Sequence, residues 1–105
     1  MPESSGFKSV RVQVIRCLET GCFRHEVRDV IEGKNLLATG DISPDEVVRL
    51  LRRCRGNQHS SSPHHWDPSV PVHVFRPTEG GATWYIKVYF VDDADGTAVF
   101  LSVHQ

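Results

Sequence analysis

The stretch that decides the fold is Trp84-Tyr85-Ile86-Lys87-Val88-Tyr89-Phe90-Val91, the turn-rich Asp92-Asp93-Ala94-Asp95-Gly96, and Thr97-Ala98-Val99-Phe100-Leu101-Ser102-Val103-His104. Both flanking runs alternate and are rich in β-branched and aromatic residues, so they predict a hairpin. With Tyr85 opposite His104, Ile86, Val88 and Phe90 share a face with Val99, Leu101 and Val103, because opposed residues point to the same side of a sheet. That face is wholly apolar. The other face then carries Tyr85, Lys87 and Tyr89 beside Phe100, Ser102 and His104. A slip of one residue would mix Trp84 and Ile86 with Ser102 and His104 and spoil the core face, so the hydrophobic pattern itself selects the register.

The chain has 105 residues, enough for one small domain with one core, read as spanning residues 1–105 behind a flexible lead of residues 1–6. No apolar run approaches the roughly 20 residues that span a bilayer, and Met1-Pro2-Glu3-Ser4-Ser5-Gly6 lacks the basic and apolar regions of a signal peptide. A soluble cytoplasmic protein with no membrane partner is expected. Cys17, Cys22 and Cys54 are odd in number and form no Cys-x-x-Cys pair, which argues against a disulfide framework and a zinc knuckle and predicts buried, reduced thiols. The net charge is −1, so any polyanion-binding site must be local.

Ser43-Pro44-Asp45-Glu46 has the hydroxyl residue, first-turn proline and glutamate of a capping box. A helix is predicted from there to a stop at Gly56, burying Val47, Leu50, Leu51 and Cys54. Arg49, Arg52, Arg53 and Arg55 fall elsewhere on its surface, as C-terminal charge matched to the helix dipole or as a phosphate-contacting patch. Upstream, Val10, Val14, Cys17 and Leu18 have helical spacing and Gly21 is a good stop, which favours a helix over Phe7–Thr20. Between Cys22 and Leu37, Phe23-Arg24-His25-Glu26-Val27-Arg28-Asp29-Val30-Ile31 predicts a second short helix ending near Gly33, followed by a loop to Gly40-Asp41. His25 and Arg28 face a site there, or Glu26 and Asp29 pair with local arginines on a solvated face.

From Asn57 to Pro68 the composition shifts to Ser and His, and four of the six histidines lie between His59 and His73. Such a segment predicts an irregular loop or sheet edge leading into a strand from Val70 to Arg76, which ends at Pro77 and a Gly80-Gly81 turn. The histidines admit three readings: a solvated loop, a metal site, or proton-transfer and phosphate-binding groups. Imidazole titrates nearest neutrality and shuttles protons with little tuning. Neighbouring His64 and His65 point apart on an extended chain and no Cys or carboxylate completes a ligand set, so no metal or cofactor is expected.

Taken in order, the helices, the loop, the strand ending Val74-Phe75-Arg76-Pro77, Trp84-Tyr85-Ile86-Lys87 and the terminal Ser102-Val103-His104 resemble the MqsR family of toxins, mRNA-cleaving relatives of the RelE group. Phe23-Arg24-His25-Glu26-Val27-Arg28 with Ile42-Ser43-Pro44-Asp45-Glu46-Val47 also resembles a group of domains of unknown function with a general likeness to those toxins. The resemblance implies an α+β fold, with N-terminal helices packed on a mainly antiparallel sheet of microbial-ribonuclease (RelE)-like type. It implies the toxin of a type II toxin-antitoxin system, a metal-independent endoribonuclease acting on mRNA and held by an antitoxin protein. The family's tyrosine transfers to Tyr85. Its last lysine falls on His104, its glutamine on Val72 beside His73, and its first lysine near Ser60 beside His59. The expected catalytic residues are therefore Tyr85, His104, His64 and His59, with Lys87, Arg76, Arg28 and His73 binding RNA phosphates. The alternative is a non-catalytic interaction protein on the same scaffold, such as a mobile-element inhibitor or regulator that binds another protein.

Overall fold

The computed structural model describes residues 6–26, 35–64, 68–91 and 96–105. In chain order the elements are α1 (Phe7–Thr20), β1 (Phe23–His25), α2 (Leu36–Thr39), α3 (Pro44–Arg53), a 3-10 turn (Gly56–Gln58), β2 (His59–Pro63), β3 (Pro71–Phe75), β4 (Thr78–Glu79), β5 (Ala82–Thr83), β6 (Tyr85–Phe90) and β7 (Ala98–His104). The main sheet runs β1-β7-β6-β3-β2, parallel only at β1 and β7, and β4 with β5 forms a separate small hairpin. The architecture is α+β, as expected.

α1 spans the expected residues, and α3 starts at its expected cap but ends at Arg53, short of the predicted stop at Gly56. Ser43 caps α3 by accepting from the Glu46 amide at 3.2 Å while the Ser43 amide donates to the Glu46 carboxylate at 2.9 Å, a reciprocal pair that satisfies two orphan donors. α1 stops at Gly21, whose left-handed φ of 80° is strained for any residue with a Cβ. The inward faces are Val10, Val14, Cys17 and Leu18 on α1 and Val47, Val48, Leu50 and Leu51 on α3. They pack over Phe75, Ile86, Val88, Ala98, Phe100 and Val103 in one cluster.

The register carries a correction inside a success. Tyr85 does pair with His104, Ile86 with Val103 and Lys87 with Ser102. Beyond Lys87 the pairing shifts, Val88 meeting Phe100 and Phe90 meeting Ala98, which leaves Leu101 as an extra residue, a β-bulge. The bulge inverts the expected facing of the rest of β7. Phe100 and Ala98 turn into the helix-facing core, while Val99, expected there, lies opposite Tyr89 on the other side of the sheet. Leu101 is buried but stands outside the helix-side cluster. Phe100 fills a core position that Leu101 cannot reach once the register at His104 is fixed.

Three further expectations change. Phe23–His25 is a strand beside β7, not a helix, because its backbone groups find partners on the edge of β7; residues 27–31 of that expected helix, including Arg28, lie outside the described residues. Leu36–Thr39, expected as loop, forms one helical turn capped by Asn35, whose side chain accepts from the Ala38 amide at 3.1 Å. His59–Pro63 is an edge strand, the sheet-edge form that the sequence allows. Of the cysteines, Cys17 and Cys54 are buried free thiols but Cys22 is exposed, since Gly21 turns the chain away from the core just before it. The turn at Asp92–Asp95 lies outside the described residues.

Phe100, completely buried at the centre of this cluster, should be costly to truncate. Phe100→Ala is expected to lower the unfolding free energy by about 3–5 kcal/mol, measured by urea denaturation, against a clearly smaller loss for Phe100→Leu, which removes less volume. Equal, small losses in both variants would show that the bulge does not direct Phe100 into the core.

Candidate functional site on the open sheet face

The sheet has two unlike faces. The polar side chains that alternate away from the helices include Tyr85, Lys87 and Tyr89 on β6, Ser102 and His104 on β7, and Ser60 on β2, with the buried Val72, Val74 and Val99 on the same face. Lys87 is paired on one side with Ser102 and on the other with Val74, which lies opposite Ser60. The Tyr85 and His104 rings stack, with centroids 5.1 Å apart and planes at 27°. His104 Nδ1 lies 3.0 Å from the Gln105 carbonyl oxygen, which steadies the imidazole as a hydrogen-bond donor at that nitrogen and leaves Nε2 as the basic one. Exposed Arg76 donates from its guanidinium to Ser60 Oγ at 3.4 Å, which brings a second cation to the same end of the sheet.

Opposed residues bring their Cβ atoms to about 5 Å, and residues two apart on a strand are separated by about 7 Å. Tyr85, Lys87, Ser102 and His104 thus form the corners of a rectangle on this face. Among the described residues Lys87 has no carboxylate partner, so its ammonium is available to an anion.

Farther along the face lies a second polar cluster. Glu26 accepts a hydrogen bond from the Tyr89 hydroxyl at 2.9 Å, and its carboxylate lies 3.5 Å from His64 Nε2. The His64 ring meets the Tyr89 ring edge-on at 4.6 Å. His64 and Glu26 are both nearly buried. Tyr89 stands four positions along β6 from Tyr85, about 13 Å, so this cluster ties His64, just after β2, to the other end of the face. The contact of Glu26 with Tyr89 and His64 escapes the sequence reading, which puts Tyr89 on the polar face but takes Glu26 for a solvated helix residue, since β1 before it is too short to show an alternation.

His59 and His73 do not join the open face. His73 lies opposite Val88 and His59 opposite Phe75, on the helix side, where the two imidazoles stack with His59 Nε2 3.2 Å from His73 Nδ1. Phe7 of α1 packs on His59. Burial, aided by the charge of neighbouring His59, pushes the His73 pKa down to about 4, and burial followed by the charge of Arg76 lowers that of His59. His25 also faces the helix side and meets the Asn35 amide at 3.1 Å; burial lowers its pKa. Of the expected site residues, then, Tyr85, His104, Lys87 and Arg76 come together, His64 stands at the other end of the same face, and His59 and His73 sit behind it. Arg28 lies outside the described residues.

Among the described residues no three His, Cys, Asp or Glu side chains converge on a point that would hold a metal ion, and no helix is long and apolar enough to cross a membrane. The sequence matches no protein-family model and no curated protein.

The His59–His73 pair sets a pH dependence. An unfolded histidine titrates near 6.5, so above that value both states are neutral and stability is constant. As pH falls from about 6.5 towards 4, the unfolded chain takes up a proton that folded His73 refuses, and up to about 3 kcal/mol is lost before the curve flattens. Chemical denaturation at pH 7 and pH 4.5 should show this loss in the parent and a smaller one in His73→Asn. Parallel loss in the two proteins would remove His73 as its cause.

Proposed function

We propose that the open sheet face binds and cleaves single-stranded RNA without a metal, on a RelE-like scaffold, and that the chain is the toxin of a type II toxin-antitoxin pair. The observation that carries this reading is the rectangle of Tyr85, Lys87, Ser102 and His104, with its Tyr85–His104 ring stack. RNA carries its own nucleophile, so cleavage needs only a base, an acid and compensation of phosphate charge. His104 Nε2 accepts the 2′-hydroxyl proton as the 2′-oxygen bonds to phosphorus. The Lys87 ammonium, paired to the phosphate, donates a proton to the 5′-oxygen as the P–O5′ bond breaks. Arg76 holds a neighbouring phosphate and Tyr85 steadies the His104 ring and stacks on a base. The products are a 2′,3′-cyclic phosphate and a 5′-hydroxyl.

A second reading rests on the sheet edge. Ser60, Ser61, Ser62 and Pro63 of β2 are exposed at an unpaired margin, a template for strand addition by a protein partner. That edge suits an antitoxin segment, or a protein target if the chain is a non-catalytic binder.

Cleavage of a short RNA by the purified chain in a chelating buffer tests the proposal. Parent activity is expected, with a loss of roughly 10²–10⁴-fold in His104→Ala. Lys87→Ala should fall by a comparable factor and Tyr85→Phe by less, all at unchanged melting temperature. No cleavage by the partner-free parent would transfer the function to the binding reading, as would growth arrest on induced expression that survives in His104→Ala with no RNA cleaved; full cleavage by His104→Ala would remove His104 as the base.

A further inference from the structure

The helix layer carries a charge that the cleavage site does not use. α1, α3 and Arg55 together contribute seven of the twelve Lys and Arg residues but only three of the thirteen Asp and Glu. The remaining chain therefore holds five cations against ten carboxylates, so the near-neutral total hides a positive balance on the helices. Two of the three helix carboxylates, Asp45 and Glu46, occupy the first turn of α3, whereas its arginines lie towards the opposite end.

The basic groups surround two open grooves. The first, about 440 Å³, runs between the helices and is lined by Arg11, Val12, Ile15, Arg16, Glu19 and Arg52. The second, about 510 Å³, lies past the end of α3 and is lined by Arg53, Arg55, Asn57, Gln58 and Thr78. Arg11 links them: its guanidinium donates to the Cys54 carbonyl at 3.0 Å and lies 4.9 Å over the Phe7 ring, which fixes a positive group beside Arg55. The local neutralisation is partial. Arg49 and Arg53 share Glu79, and Arg52 reaches Glu19 at 3.1 Å with both side chains at least half exposed, a contact worth little in water. Among the described residues Arg16 and Arg55 have no carboxylate partner.

We infer that this surface is a second nucleic-acid tract, which holds RNA through its phosphates while the opposite sheet face acts on the strand; in naming RNA it rests on the proposed function. Guanidinium groups around shallow grooves suit a chain of phosphates, which they bind in bidentate fashion. The absence of aromatic side chains from both linings gives no means of stacking bases, so binding there is indifferent to sequence. A long RNA would contact both faces, whereas an oligonucleotide of a few residues would reach only the cleavage site.

The test compares the full chain with the triple variant Arg16→Ala, Arg52→Ala, Arg55→Ala, all exposed positions, and with its Arg→Lys counterpart. Binding of 30-residue RNAs of two unrelated sequences, made uncleavable by 2′-deoxy substitution, is followed by fluorescence anisotropy across a salt series. The alanine variant should weaken both RNAs equally and flatten the log Kd against log salt slope by about two. The lysine variant should restore the slope, and cleavage of a tetranucleotide should be unchanged. An unaltered slope, or loss for one sequence only, overturns the inference. If the slope flattens but the parent cleaves nothing, the tract stands and the catalytic reading fails. If the parent cleaves and the slope is unaltered, the reverse holds. A parent that binds neither RNA defeats both.

Discussion

The pairing of β6 with β7 around the extra residue Leu101 is the constraint on which the other features depend. On the His104 side of the bulge, strict alternation sends Tyr85, Lys87, Ser102 and His104 outward together. On the other side, the shift turns Phe100 and Ala98 to the helices and Val99 away. Without the bulge, Phe100 would occupy the open face and the core would have to accept Leu101 in its place. One residue thus reconciles a polar working surface at one end of the hairpin with a large aromatic core residue at the other.

The same division separates the histidines by physical role. His104 stacks on Tyr85 at the end of β7, partly exposed to solvent. His73 is 4% exposed among Val88, Phe90 and Phe75 and depends on His59 for its hydrogen bond; its depressed pKa keeps it neutral where a charge would be unsolvated. Histidines that look alike in the sequence therefore sit in unlike surroundings. Burial, fixed by strand parity, decides which.

Much of the fold is legible in the sequence because it is written in local signals. The capping box at Ser43, the stop at Gly21 and the helical spacing of Val10, Val14, Cys17 and Leu18 locate α1 and α3, and the apolar alternation locates the Tyr85–His104 pairing. The bulge is not legible: either face of Val99-Phe100-Leu101 is apolar, so the pattern gives no penalty for the shift. Nor is β1 legible, because three residues carry no period and its strand character comes from the β7 edge. The grouping of Tyr85, Lys87 and His104 follows from parity alone, whereas the exile of His59 and His73 requires knowing that β3 presents its odd-numbered residues to α1. Glu26 meets His64 and Tyr89 only through the tertiary fold.

The central claim is that the outward rectangle of β6 and β7 is where this protein meets its ligand. It is tested most directly by NMR titration with an uncleavable, 2′-deoxy-substituted tetranucleotide, short enough to occupy one phosphate-binding site. The account expects the largest shifts at the Tyr85 ring, the Lys87 ammonium and the His104 imidazole, with intermolecular contacts from base protons to Tyr85 and none to His59 or His73. Saturable binding that perturbs the His59–His73 side of the sheet and leaves Tyr85, Lys87 and His104 unmoved would contradict it.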